Sequence, residues 1–517
     1  MKQGISMLLL SALLLVGWFS SCSSVPEYGK MIPKDAVVVT SIDVEEAVKS
    51  SDLGDLKPLT DKFNKMIESS SLSEDKRIQL KQMIENPFEL GFDLGKPMYF
   101  FLAGSMKTHG GFVGGVDSKE NLLKFINSLH TMGVCGSVKE LDQISYVGIN
   151  QAVFAFTEDW FFVTSQSGSQ ENEREAVQMI ASLASQTKEN SLASAKVFQS
   201  MHDREGFIHV LVLGSGYHSM MEKLGNTQEL QMVEKMLPSN VKVADFAAVY
   251  DGVMKKGEGS LVVEILPQTS EAEKVLEIYN FYNKIDGTYE KYVPEDALFY
   301  ALGNLDGKKY FSFLREALEK SGTPLGNEEF VSRVQGVVEA IDGDVAFCVD
   351  TKNMSGNLPN IKLFVTSKDN KWLSLASDFY LAGQLEETGT NQYKMALRYD
   401  GPYAYLGQQN LMAYLVVNPD GEPLQQVKNN VSVDGGLYGY ARFNFAPLLR
   451  MDLQSLLGLY QSPQQVKMAE NVLSLFDYVE VKIESRTKGV IRLVMKDKNQ
   501  TPVQALYNEL LPLLKWI

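Results

Sequence analysis

One phrase occurs twice in this chain. Ile32-Pro33-Lys34-Asp35-Ala36-Val37-Val38-Val39 returns as Val293-Pro294-Glu295-Asp296-Ala297-Leu298-Phe299-Tyr300, about half a chain later. In each copy a hydrophobic residue, Pro, a charged residue and Asp-Ala lead into an apolar run. Proline fixes its own φ and biases the residue before it towards an extended shape, so the phrase suits the entrance to a strand. A chain of 517 residues also exceeds what a single core usually organises. The expectation is therefore two halves, 33–293 and 294–517, each opened by the phrase.

In the first half the pattern predicts a strand over 36–42, then a helix capped by Asp43, with helical spacing again at 56–67 and 73–84. Strands are expected at 97–103, 111–116, 144–149, 152–156 and 160–164, with a helix at 118–130. Helices over 173–186 and 192–201, a strand over 207–213 and a helix over 217–224 follow. A hairpin, 243–250 with 259–266, turns at Lys255-Lys256-Gly257, and a helix over 271–285 closes the half. From Pro294 the order recurs to the final helix at 502–514, with residue identity only in short patches. The fold class this implies is α+β: two tandem related halves, each a mainly antiparallel sheet with packed helices.

The N-terminus reads as an address. Lys2 precedes an apolar stretch, 5–19, too short for a comfortable membrane span, and Ser20-Ser21-Cys22 follows. A charged start, a short apolar core and small residues before a cut site make an export signal over 1–21. Cys22 directly after the small residues makes it similar to a bacterial lipoprotein signal, in which that thiol is diacylated. Phe19 stands where the strict pattern prefers Leu. Two acyl chains hold firmly where one is marginal, so a lipidated Cys22 would be a lasting membrane anchor, with 22–32 as its tether.

The signal, the tether, the Ile-Pro-Lys-Asp-Ala phrase and the length together resemble a lipoprotein family of gut Bacteroidetes catalogued as a domain of unknown function. That resemblance implies an envelope location and no activity. Some lipoproteins of that phylum carry an acidic run after the cysteine that sends them to the cell surface. Ser23-Ser24-Val25-Pro26-Glu27 lacks one, which points to the outer membrane facing the periplasm.

The charge balance excludes nucleic acid as a partner: 49 basic residues against 64 acidic ones give a net −15 with no offsetting basic block. Apart from Cys22, only Cys135 and Cys348 remain, one in each half, and they read as isolated thiols whose spacing demands no bridge.

The search for chemistry returns little. All five histidines (His109, His130, His202, His209 and His218) lie in the first half, without an HExxH pair or other metal spacing. Ser73-Glu74-Asp75-Lys76 matches SxxK, but Lys107-Thr108-His109-Gly110 is an interrupted KTG about thirty residues on, too close for a penicillin-recognising fold. Gly214-Ser215-Gly216 is not a nucleophile elbow, and the glycines of 104–115 form no phosphate loop. No catalytic residue, metal ligand or cofactor motif is therefore assigned.

Trp160, Tyr403 and Tyr405 are candidates for a sugar-stacking platform, although aromatics in alternating strands more often fill a core. The expected function is a non-enzymatic, lipid-anchored envelope protein that scaffolds or binds protein or glycan. The alternatives are an envelope-polymer hydrolase whose site is assembled from distant residues, and a glycan-binding module.

Overall fold

A computed structural model describes residues 25–510, apart from 53–56, 70–72, 86, 105–109, 166–169, 224, 226–233, 235–236, 238–240, 279, 322–327, 356–357, 374–384, 398–401, 420–421 and 452–462. The export signal and Cys22 lie outside the described residues.

Residues 36–267 supply β1 (Ala36–Ile42), β2 (Phe92–Asp93), β3 (Met98–Ala103), β4 (Gly110–Val116), β5 (Lys139–Leu141), β6 (Ile144–Ile149), β7 (Ala152–Phe156), β8 (Trp160–Ser165), β9 (Ile208–Leu213), β10 (Phe246–Lys255) and β11 (Glu258–Pro267). Residues 282–495 supply β12 (Tyr282–Asn283), β13 (Phe299–Asp306), β14 (Ile341–Ser355), β15 (Leu358–Ser367), β16 (Glu386–Gly389), β17 (Gln392–Ala396), β18 (Tyr403–Gln409), β19 (Met412–Val417), β20 (Gly439–Asn444), β21 (Phe476–Ile483) and β22 (Lys488–Met495).

The expectation of two halves with a sheet each is corrected by the strand pairing. Twenty strands form one continuous antiparallel ladder, because β11 pairs with β22 over seven residues, Glu258↔Val494 to Glu264↔Lys488. From that junction one side runs β11-β10-β9-β1-β3-β4-β8-β7-β6-β5. The other runs β22-β21-β20-β13-β14-β15-β19-β18-β17-β16. The two-residue strands β2 and β12 prolong the ladder beside β4 and β13. The physical reason lies in the edges. β11 and β22 would otherwise each present a long row of unpaired backbone groups, and pairing them with each other removes both.

Local chemistry fixes the element ends. Asp43 caps the helix Val44–Ser51 by accepting from the Glu46 amide at 2.8 Å, and Ser118 caps Lys119–Thr131 through Asn121 at 3.3 Å. Asn150 and Asn410, both left-handed with φ near 50°, close the turns β6–β7 and β18–β19. Several expected elements are cut differently. The helix expected over 271–285 stops at Ile278, and Tyr282–Asn283 joins the sheet. The helix expected over 192–201 divides into a 3-10 turn, Leu192–Ser194, and Lys196–Met201.

We call front the face that carries Val39, Leu211 and Val249, which share one cross-strand row. On it the helices Gln170–Ala184 and Lys196–Met201 pack with the 3-10 turn Glu27–Met31 over Tyr99, Phe101 and Phe162. Tyr28, Met31 and Ile32, assigned to the tether by sequence, are buried in this core. The second proline phrase does the same: Tyr289, Tyr292 and Val293 lie over Tyr300, Ala346 and Phe364. Pro33 bridges to Ser191 and Pro294 to Asn430. Each fully buried side chain of this kind contributes about 1.5–3 kcal/mol.

Candidate functional site

The strands either side of the junction distribute their residues in an unexpected way. In β21, period-two alternation puts Tyr478, Glu480 and Lys482 on one face and Val479, Val481 and Ile483 on the other. A half-solvated antiparallel sheet would turn the charges outwards. Here Glu480 is 3% exposed on the front, whereas Val481 and Ile483 are 38% and 41% exposed on the back, as are Leu261 (39%), Ile265 (41%) and Ile491 (40%). On the back face no charged side chain appears at the paired positions from β3 across the junction to β14.

One row of that face can be followed residue by residue through the register. It passes from Ile42 to Ile208, Gly252, Leu261, Ile491, Val481, Ala441, Ala301, Phe347, Leu363, Leu415 and Leu406. Every member is apolar or glycine. At the near end Phe92, Phe154 and Phe161 are covered by the helix Lys119–Thr131 through Leu122, Phe125 and Ile126. At the far end the row enters a cavity of about 430 Å³ between Val337 of the helix Glu328–Glu339 and the sheet, walled by Leu363, Val365, Leu406, Leu415 and Met395. Two polar side chains in its wall are already engaged. Ser367 Oγ donates to the Asp369 carbonyl at 2.7 Å, and Trp372 Nε1 donates to Gln408 Oε1 at 3.0 Å.

The charges missing from the back form two networks on the front. Arg204 Nε donates to Asp251 at 2.6 Å and a second guanidinium nitrogen to Glu264 at 2.6 Å, while His209 Nδ1 lies 2.8 Å from the other Asp251 oxygen. Across the junction Glu480 accepts from the Tyr440 hydroxyl and Arg492 Nε, each at 2.7 Å, and Arg492 reaches Glu258 at 3.2 Å. Pairing of this kind is what allows charged groups to sit inside a fold.

Ser41, His209 and Asp251 occupy adjacent positions on β1, β9 and β10. That order of residue types belongs to acyl-transfer triads. All three are less than 7% exposed and lie among core residues of the front face, with Asp251 clamped by Arg204, so the row reads as structural.

The remaining histidines are dispersed. His202 Nε2 meets the Tyr99 hydroxyl at 3.1 Å, and its pKa is lowered to about 4, mainly by burial and then by neighbouring His209. His218 lies beside Glu222 and Glu234, His130 meets the Cys135 carbonyl, and His109 is outside the described residues. Among the described residues no group of three or more His, Cys, Asp or Glu is placed to hold a metal ion. Cys135 and Cys348 are free thiols, raised to about 11 and about 12 by burial. Ser73 precedes the helix Glu74–Glu85, while residues 107–109 of the interrupted KTG are outside the described set.

The aromatic candidates do not converge. Trp160 sits in β8 against the first front core, and Tyr405 in β18 against the second, fourteen strands further along the ladder. Lys394 Nζ lies 3.9 Å from the Tyr403 ring centre and 5.9 Å from that of Tyr405. Sequence reasoning missed the back face altogether. Its signal was present in β11, where Gly259, Leu261, Val263 and Ile265 form an uncharged set that alternates with Ser260, Val262 and Glu264.

A family profile described as Domain of unknown function (DUF4836) matches residues 28–502. The chain belongs to this family. No curated protein matches. Among solved structures, crystal form I of TP0453 is 13% identical, spans 52% of this chain and 89% of its own, and superposes with a TM-score of 0.25. Crystal form III of TP0453 gives 12%, 51%, 90% and 0.25. Scores this low establish no shared fold. For the family, then, the site rests on the residues of this chain.

Proposed function

We propose that this chain is a non-enzymatic binding protein of the bacterial envelope, anchored through lipidated Cys22 and presenting its back face to an apolar partner. One observation carries the reading: the face is uncharged across the junction, and its aliphatic side chains stay about 40% exposed where the opposite face buries paired charges. Contiguous apolar surface of this kind marks an interaction site. The N-terminal signal supports an outer-membrane anchor facing the periplasm. The seam at 293/294 is read as the join between two copies of one ten-strand plan inside a single sheet.

The separated aromatics disfavour a glycan platform, and the buried Ser41–His209–Asp251 row offers a hydrolase no exposed nucleophile. Fluorescence of bis-anilinonaphthalene sulfonate, an amphiphilic dye that brightens on apolar surface, tests the reading. The folded chain is expected to enhance it, and the Leu261→Asp, Ile491→Asp double variant to lose most of the enhancement while keeping its circular dichroism. Equal enhancement by the folded variant would refute the reading.

A further inference from the structure

The back face is the sort of surface that many apolar partners would fit, but its far end is more selective. We propose that the cavity between the helix Glu328–Glu339 and strands β15, β18 and β19 is a site for a single unbranched acyl chain. This rests on the reading that the back face takes an apolar partner, and it names the chemistry of that partner at one end.

Size argues first. An α-helix about 10 Å across fills roughly 400 Å³ per turn. A space of about 430 Å³ therefore holds no useful length of peptide helix. An extended peptide would fare worse, because every amide it brought in would need a partner. Of the polar side chains in the cavity lining, Ser367 and Trp372 have spent their donors on Asp369 and Gln408, and Tyr414 belongs to the front core beside Phe364. Leu363, Leu406 and Leu415, aligned in one cross-strand row, form the floor, and Val337 closes it from the helix side. A hydrocarbon chain is the ligand that needs apolar contact and nothing else. The same row continues through Phe347 to Ile491 and Leu261, so the floor of the site is continuous with the uncharged face.

The test uses the full chain in its anchored form and two probes. One is palmitate carrying a photoactivatable diazirine on its chain. The other is phosphatidylethanolamine vesicles bearing the same chain. Together they separate a free fatty acid from a membrane lipid as the source. After irradiation, label is expected on peptides containing Leu363, Leu406 or Leu415 with at least one probe. Val337→Trp from the helix side and Val365→Trp from the sheet side should each reduce it by about fivefold or more, since overfilling a packed site costs at least that. Thermal unfolding confirms that each variant is folded; should one fail to fold, the other carries the result.

Label undiminished in a folded Trp variant overturns the proposal, and so does the absence of label with both probes. Label confined to peptides of β11 and β22 also overturns the cavity site while leaving the binding face standing. Loss of dye enhancement in the Leu261→Asp, Ile491→Asp variant reports on that face independently.

Discussion

Glu480→Ala should separate the energetics of the junction from its geometry. The carboxylate is 3% exposed. It accepts from Tyr440 Oη at 2.7 Å and Arg492 Nε at 2.7 Å, a second Arg492 nitrogen also reaches it, and Lys482 Nζ stands at 3.4 Å. Removing it leaves the Tyr440 hydroxyl without its acceptor, at a cost of about 1–3 kcal/mol. Arg492 loses one of two carboxylates but keeps Glu258, and its side chain is 31% exposed, so that share is discounted to about 1 kcal/mol. The sum is about 2–4 kcal/mol.

Glu258→Ala is the control. It breaks the same cation's other pair, at 3.2 Å, with both side chains about one-third exposed, and should cost less than about 1 kcal/mol. Urea unfolding followed by tryptophan fluorescence measures both. In a double-mutant cycle, Tyr440→Phe should recover part of the Glu480→Ala cost, because the orphaned hydroxyl goes with it. Equal costs for the two glutamate variants, or strict additivity with Tyr440→Phe, would refute the reasoning.

Two further outcomes are expected. The pKa of His202, lowered to about 4 from 6.5, means that the unfolded chain binds its proton first; this part of the stability is intact above about pH 6.5 and lost as the pH falls towards 4. His202→Gln should flatten the melting temperature across that window, and an unchanged slope would rule His202 out as its source. Metabolic labelling with palmitate should mark the wild-type chain and not Cys22→Ala; equal labelling of the two would remove the anchor.

Much of the fold was legible because its local signals are strong. Asp43 and Ser118 announce helix starts through their side chains, and the proline phrases introduce β1 and β13. What sequence could not supply was the partner of each edge. Period-two alternation in β11 and β22 says that a strand exists and has two faces; it does not say that these two strands, about 230 positions apart, pair with each other. Nor does alternation say which face is wet. Read by the usual rule, Val479, Val481 and Ile483 belong in a core and Glu480 and Lys482 in water. The fold reverses this because Arg492 and Tyr440 supply partners for Glu480, and those partners come from neighbouring strands invisible to a local window. The aromatic candidates meet the same limit: nothing local in the sequence says that Trp160 and Tyr405 lie fourteen strands apart in the ladder.

The junction and the uncharged back face are one feature seen from two sides. Had each half closed its own sheet, Leu261 and Ile491 would lie on separate edges, and the apolar row would break at its centre. Pairing β11 with β22 places them directly opposite each other and joins the strands of 36–267 to those of 282–495 through seven registered residues. The charges that such a seam would otherwise expose are taken to the front and neutralised in pairs by Arg204 and Arg492. This leaves the back with no electrostatic reason to repel a hydrocarbon. The order of cause therefore runs from edge pairing, to the sorting of charge between faces, to a continuous apolar path ending in the cavity under Val337. Neither 33–293 nor 294–517 alone contains both sides of that path.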